Sequence, residues 1–226
     1  MSSGPSALAS TIWKKASMAI TGLVLFGFVL AHMAGNLKAY QGASKLNQYA
    51  EHLREMGAPI FDHGQLLWVA RLVLLAALAV HVAATIALTL RNWSARPVSY
   101  AYRKSPETSA VSRTMIVTGP IILAFVVFHI LHFTTGQAHP SFQPGDAFGN
   151  VVSGFRGHLG VVAIYVVALL ALGSHLFHGL WSLFQTLGLN HPRWNAHRNV
   201  FAAAFAVLLV LGFLAVPIGV VLGLIH

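Results

Sequence analysis

An all-α integral membrane bundle of five transmembrane helices is the fold class this sequence predicts. Three observations predict it: charge is scarce, apolar residues fall into five long runs, and basic residues collect on alternate connections. Of 226 residues, 56% are hydrophobic and 8% are charged, against about 25% charged in a soluble domain. That leaves too few charges to wet the surface of a globule this size.

The runs are Ser17–Leu37, Leu66–Leu90, Met115–Thr135, Leu159–Gln185 and Val200–Ile225. Each is near or above the roughly 20 residues a helix needs to cross about 30 Å of hydrocarbon. Backbone groups in lipid must bond within their own segment, which selects helices. Strands of a membrane barrel would be about 10 residues long and would alternate in polarity, and these runs do neither. Between the runs, Lys38–Gln65 is polar, with Leu46–Met56 patterned as a short amphipathic helix. Arg91–Arg113 is polar and basic, Gly136–His158 is rich in Gly and Pro and reads as a loop, and Asn190–Asn199 reads as a short connection. The whole chain, 1–226, reads as a single transmembrane domain. No cleavable signal peptide is expected, because sixteen polar and basic residues precede a run long enough to stay in the membrane. With no cysteine, disulfides, cysteine-bound iron–sulfur clusters and covalent C-x-x-C-H haem attachment are excluded.

The net charge of +9 has a topological reading. Lys14, Lys15, Arg91, Arg96, Arg103, Lys104, Arg113, Arg193 and Arg198 fall on one side with one acid, Glu107. Lys38, Lys45, Arg54, Arg71 and Arg156 fall on the other with Glu51, Glu55, Asp62 and Asp146. Positive residues stay inside, so the N-terminus is expected in the cytoplasm and the C-terminus outside. No basic groove interleaved with aromatics is present, so no nucleic-acid partner is expected.

Thirteen histidines are present. His52, His63, His139, His191 and His197 fall in connections, whereas His32, His81, His129, His132, His175 and His178 fall inside apolar runs. An ionisable ring in a membrane is costly and marks function, although any one of these could simply bridge two helices by a hydrogen bond. The set is more informative than its members. His32, His81, His129 and His175 each stand about 15 residues into their own run, or roughly 22 Å at 1.5 Å per residue. Runs one and three point outward, and runs two and four inward. His32 and His129 therefore share an outer level, and His81 and His175 an inner one. Two imidazoles on opposite sides of an iron make a low-spin b haem, so two bis-histidine haems are predicted. His132 and His178 lie three residues after His129 and His175, on the same helix faces, and spacing alone leaves them as alternative ligands. Gly22, Gly27, Gly35, Gly119, Gly160, Gly173 and Gly179 either clear room for a macrocycle or serve close helix packing.

Lys15-Ala16-Ser17-Met18-Ala19-Ile20-Thr21-Gly22 with His32-Met33-Ala34-Gly35-Asn36-Leu37, Asn47-Gln48-Tyr49-Ala50-Glu51-His52-Leu53, and His175-Leu176-Phe177-His178-Gly179-Leu180-Trp181-Ser182-Leu183-Phe184 carry a family resemblance. The chain resembles the cytochrome b membrane anchor of succinate dehydrogenase and fumarate reductase (succinate:quinone oxidoreductase), in its single-chain, five-helix, di-haem form. The resemblance extends over all five runs. It implies His175 rather than His178 and His129 rather than His132 as ligands. It further implies a flavoprotein subunit holding FAD and the dicarboxylate site, and an iron–sulfur subunit, both on the cytoplasmic face of a bacterial inner membrane. By the same resemblance, electrons pass by an inner haem on His81 and His175 and an outer haem on His32 and His129 to a quinone, with menaquinone expected. In some relatives an acid near the outer end handles quinone protons. Glu51 and Glu55 are the candidates here, with Asp62 and His63 as equals, against a plain solvated helix. No dicarboxylate chemistry is seen in the chain, and the resemblance implies a non-catalytic electron-transfer subunit. Two rivals share the histidines: the di-haem subunit of a hydrogenase or formate dehydrogenase, and a haem-free anchor or transporter.

Overall fold

A computed structural model of the chain describes residues 11–94, 108–186, 188 and 191–226. Seven helices follow in order: α1 Thr11–Asn36, α2 Ala43–Glu55, α3 Gln65–Ser94, α4 Thr108–Phe133, α5 Ala147–Phe155, α6 Leu159–Thr186 and α7 Pro192–Val221, with a 3₁₀ turn at Leu37–Gln41. Five of them (α1, α3, α4, α6 and α7) are long and apolar enough to cross a membrane. Arg96, Arg103, Lys104 and Glu107, counted above toward the basic side, lie outside the described residues.

The spans differ from the apolar runs mainly at their ends. The first two turns of α1 and of α4 are polar or mixed, yet helical, because a helix bonded within itself does not stop where hydrocarbon ends. The connection expected at Asn190–Asn199 is mostly the start of α7. Pro192 sits at its first turn, where a missing N–H costs nothing, and the His191 side chain accepts the Arg193 N–H. Gly136–His158, expected as a loop throughout, contains α5. The Asp146 carboxylate caps that helix by accepting the Gly149 N–H at 2.9 Å, and Phe148 and Phe155 are buried beneath it. The amphipathic helix expected over Leu46–Met56 is α2, begun three residues earlier behind Gly42, whose φ of 88° ends the 3₁₀ turn.

The main packing pairs are α1 with α3, α4 with α6, and α6 with α7, with α1 also leaning on α6 and α7. Neither α1 and α4 nor α3 and α6 pack along one another. One end of the bundle is capped by the 3₁₀ turn, α2 and α5. Ala39, Leu46, Phe148, Phe155, Tyr165, Val216, Val220 and Ile225 form a buried cluster there. Asn47 ties the cap together: it donates to Asp146 at 2.9 Å and accepts the Phe148 N–H at 2.9 Å. Tyr40 donates to the Ala215 carbonyl at 2.7 Å. Gly35 lets α1 pass α2, since a Cβ there would lie 2.8 Å from the Tyr49 ring. The opposite, basic end carries Lys14, Lys15, Arg91, Arg193 and Arg198.

Candidate functional site

Two imidazole pairs occupy two levels of the bundle. The run from Thr11 to His32 is as long as that from Thr108 to His129, and the run from Gln65 to His81 as long as that from Leu159 to His175. The early starts of α1 and α4 therefore shift both of their histidines together and leave the levels matched. His32 and His129 face each other with ring centres 5.7 Å apart, toward the capped end. His81 and His175 do so at 6.3 Å, toward the basic end. Each pair joins two helices that do not pack along each other, α1 with α4 and α3 with α6.

The hydrogen bonds decide which nitrogen each ring presents. A carbonyl can only accept, so His81 Nδ1, 3.2 Å from the Met18 carbonyl, carries the proton. The Thr21 hydroxyl beside it gives its own proton to the Ser17 carbonyl at 2.7 Å. Thr118 likewise donates to the Thr114 carbonyl at 2.9 Å, so at 3.4 Å it accepts from His175 Nδ1. Both rings therefore keep Nε2 bare, the form a metal takes, with Nδ1–H anchored by an acceptor. His129 Nδ1 meets the Tyr165 hydroxyl at 3.0 Å. His32 is stacked on Phe28 at 5.3 Å.

The alternatives sit elsewhere. His132 is 0% exposed, packed among Phe128, Phe133 and Phe155, with Nδ1 on Tyr165. A Cβ on Gly154 would stand 3.1 Å from its Cε1. His178 is buried beside Phe177, and its Nδ1 has no hydrogen-bond partner. Of the small residues, Gly22 faces the His81 ring, Gly35 meets Tyr49 and Gly173 meets Val210. Gly27, Gly119, Gly160 and Gly179 have nothing within 4 Å. Gly179 lies one turn after His175 on the same face and leaves space beside it.

These residues fit a bis-histidine haem. Two imidazoles bonded to one iron at about 2 Å each put their ring centres roughly 6 Å apart, and both observed pairs are close to that. Among the described residues no group of three or more His, Cys, Asp or Glu is placed to hold a metal ion.

The acids lie at the capped end. Glu51 accepts from His63 at 2.7 Å and from Arg54 at 2.8 Å. The bond from His63, then that from Arg54, holds its carboxyl below the usual range. Glu55 is exposed on the same helix, and Asp62 accepts from Gln65 at 2.9 Å. Next to Glu51's partners is a depression of about 200 Å³ lined by Arg54, His63, Gly64, Leu67, Trp68 and Arg71. Sequence reasoning missed Tyr165 and the order around His139. The signal for Tyr165 was present: a lone phenol in an apolar run must find a partner when buried.

Residues 89–215 match the family described as succinate dehydrogenase/fumarate reductase transmembrane subunit. No curated protein and no solved structure matches the chain. The matched stretch contains α4 and α6 with His129, His132, His175 and His178, while His32 and His81 precede it. With five membrane-length helices and more than half its length inside the match, the chain belongs to the succinate dehydrogenase/fumarate reductase transmembrane subunit family.

Proposed function

We propose that this subunit carries electrons between an iron–sulfur partner and a membrane quinone by way of two b haems. His81 and His175 hold the haem nearer the basic end, and His32 and His129 the one nearer the capped end. The observation that supports this most is the pair of facing imidazole pairs, each joining helices that do not pack along each other. A b haem held by two histidines would supply one-electron transfer rather than oxygen binding. The chain's part is to hold the rings. The Met18 carbonyl and Thr118 hold protons on Nδ1 of His81 and His175, which leaves their Nε2 atoms free of hydrogen.

The basic excess puts the basic end in the cytoplasm of a bacterial inner membrane. There the iron–sulfur subunit and the FAD-bearing flavoprotein dock, and they supply the dicarboxylate chemistry this chain lacks. Menaquinone is the expected quinone. Its headgroup would enter the depression at the capped end, where Arg71 offers donors and Trp68 and Leu67 an apolar wall. Glu51, bonded to His63, and Glu55, exposed one turn on, are the groups that would relay protons between water and the quinone: inward when it is reduced, outward when the quinol is oxidised.

A reduced-minus-oxidised spectrum of the purified complex, with haem counted per chain, tests the reading. Two b haems per chain are expected. A spectrum without a b-type α-band would leave a haem-free anchor.

A further inference from the structure

Tyr165 stands where α4, α5 and α6 meet, 6% exposed, with Phe125 and Phe155 edge-on to its ring at 4.9 Å each. Its hydroxyl lies 3.0 Å from His129 Nδ1 and 3.0 Å from His132 Nδ1. A phenol has one proton to give and lone pairs to receive with. For its buried proton to be bonded as well, one imidazole donates to it and the other accepts from it.

Two arrangements satisfy this. In the first, His129 Nδ1–H donates to the phenol oxygen, and Tyr165 O–H donates to His132 Nδ1. His129 Nε2 is then bare and faces His32. In the second, Tyr165 donates to His129 Nδ1, His132 Nδ1–H donates to the phenol, and His129 carries its hydrogen on Nε2, where no metal can bind. The far side of the network does not choose between them. His132 Nε2 has no hydrogen-bond partner. Neighbouring His139 is already committed, donating from Nε2 to the Asn150 carbonyl at 2.9 Å and accepting the Ser141 N–H on Nδ1 at 3.1 Å.

We propose that Tyr165 and His132 are positioning residues that set the tautomer of His129, with His132 acting as the acceptor that draws the phenol proton away from the ligand. This rests on the reading of His129 as a haem ligand. It inverts the usual ranking, because the more distant residue matters more for haem retention. In His132→Leu, the phenol proton is left with only His129 Nδ1 to bond. In Tyr165→Phe, His129 keeps either tautomer open but loses the acceptor for Nδ1–H, which makes its imidazole a weaker donor to iron.

The test uses the intact complex, with haem per chain, a redox titration of the b-type band and the low-spin haem resonance as readouts. In His132→Leu, retention of the haem nearer the capped end falls about tenfold, the weight of one neutral hydrogen bond, while the other haem stays as an internal control for folding. In Tyr165→Phe, occupancy holds and the midpoint of that haem rises. The double variant recovers the occupancy of Tyr165→Phe. In His132→Asn, where an amide oxygen replaces Nδ1, the native midpoint and occupancy return. Equal occupancy in His132→Leu and native protein, or a double variant no better than His132→Leu, overturns the proposal. If His132→Leu loses both haems through misfolding, Tyr165→Phe and His132→Asn decide. A raised midpoint in the first with a native one in the second supports the proposal, and any other pattern overturns it. Failure of the haem reading itself looks different: native complex with fewer than two haems per chain, or His129→Ala retaining both.

Discussion

The two imidazole pairs are built from the same parts and held by different means. At the basic end, His81 and His175 are oriented from within the helices. A main-chain carbonyl on α1 and a threonine on α4, itself bonded to its own backbone, fix their tautomers. At the capped end, His129 depends on a phenol from α6 and a second histidine, inside a cage of phenylalanines roofed by α5. The difference follows from packing. A backbone carbonyl is a fixed acceptor supplied by secondary structure, whereas the Tyr165–His132 arrangement exists only because three helices and the cap converge. At the basic end His81 is held by a main-chain carbonyl and only His175 leans on a side chain, whereas the capped-end His129 depends on side chains alone.

The largest expected effects break the comparison outright. His81→Ala or His175→Ala should remove one of two haems and spare the other, and His32→Ala or His129→Ala the reverse, read as haem per chain and as which midpoint survives. A variant in one pair that empties the other would refute the assignment. Gly154→Ala comes next. Its Cβ would press on His139 Nε2 at 2.9 Å and on the His132 ring, an overpacking worth about 1–3 kcal/mol. Thermal unfolding followed in the α-band should show the capped-end haem lost first.

Asn47→Ala should follow, since it strips two hydrogen bonds that join α2 to α5, a cost of about 1–3 kcal/mol. Hydrogen exchange should rise in α5 and not in α3. Acid acts on the same joint. The Gly149 N–H, then the Asn47 amide, holds the Asp146 carboxyl below its usual value. Its contribution is complete above the unfolded value of about 3.9 and is lost as pH falls through the lower folded one. Unfolding midpoints measured from pH 6 downward should drop at the acid end, and Asp146→Asn should flatten that drop. The smallest effect is Thr118→Val. The bond it removes is 3.4 Å long, so the basic-end midpoint should rise less than the capped-end midpoint does in Tyr165→Phe.

Much of this was legible in the residues. Long apolar runs without alternation, separated by polar connections, specify five helical spans, because lipid allows only helices and closed barrels and barrel strands would be short and alternating. Equal spacing of four histidines specifies two levels, because helix rise is constant. The helical start of α4 was not legible, since residues outside hydrocarbon carry no apolar signature. Nor was α5, whose nine residues hide in a Gly- and Pro-rich stretch and are held by the cap of Asp146 and contacts to α2.

The sequence by itself determined the class of protein, the number of spans and which histidines can share a depth, since each follows from local composition and a fixed rise. Spacing left His129 and His132 equal, and the tertiary structure puts His129 opposite His32. Both lie on one helix face, and their surroundings differ only once α5 and Tyr165 of α6 close over His132. Tautomer is likewise a tertiary property. It is set by whichever partner the fold brings to Nδ1, and that partner comes from another helix for each of three rings: Met18 for His81, Thr118 for His175 and Tyr165 for His129.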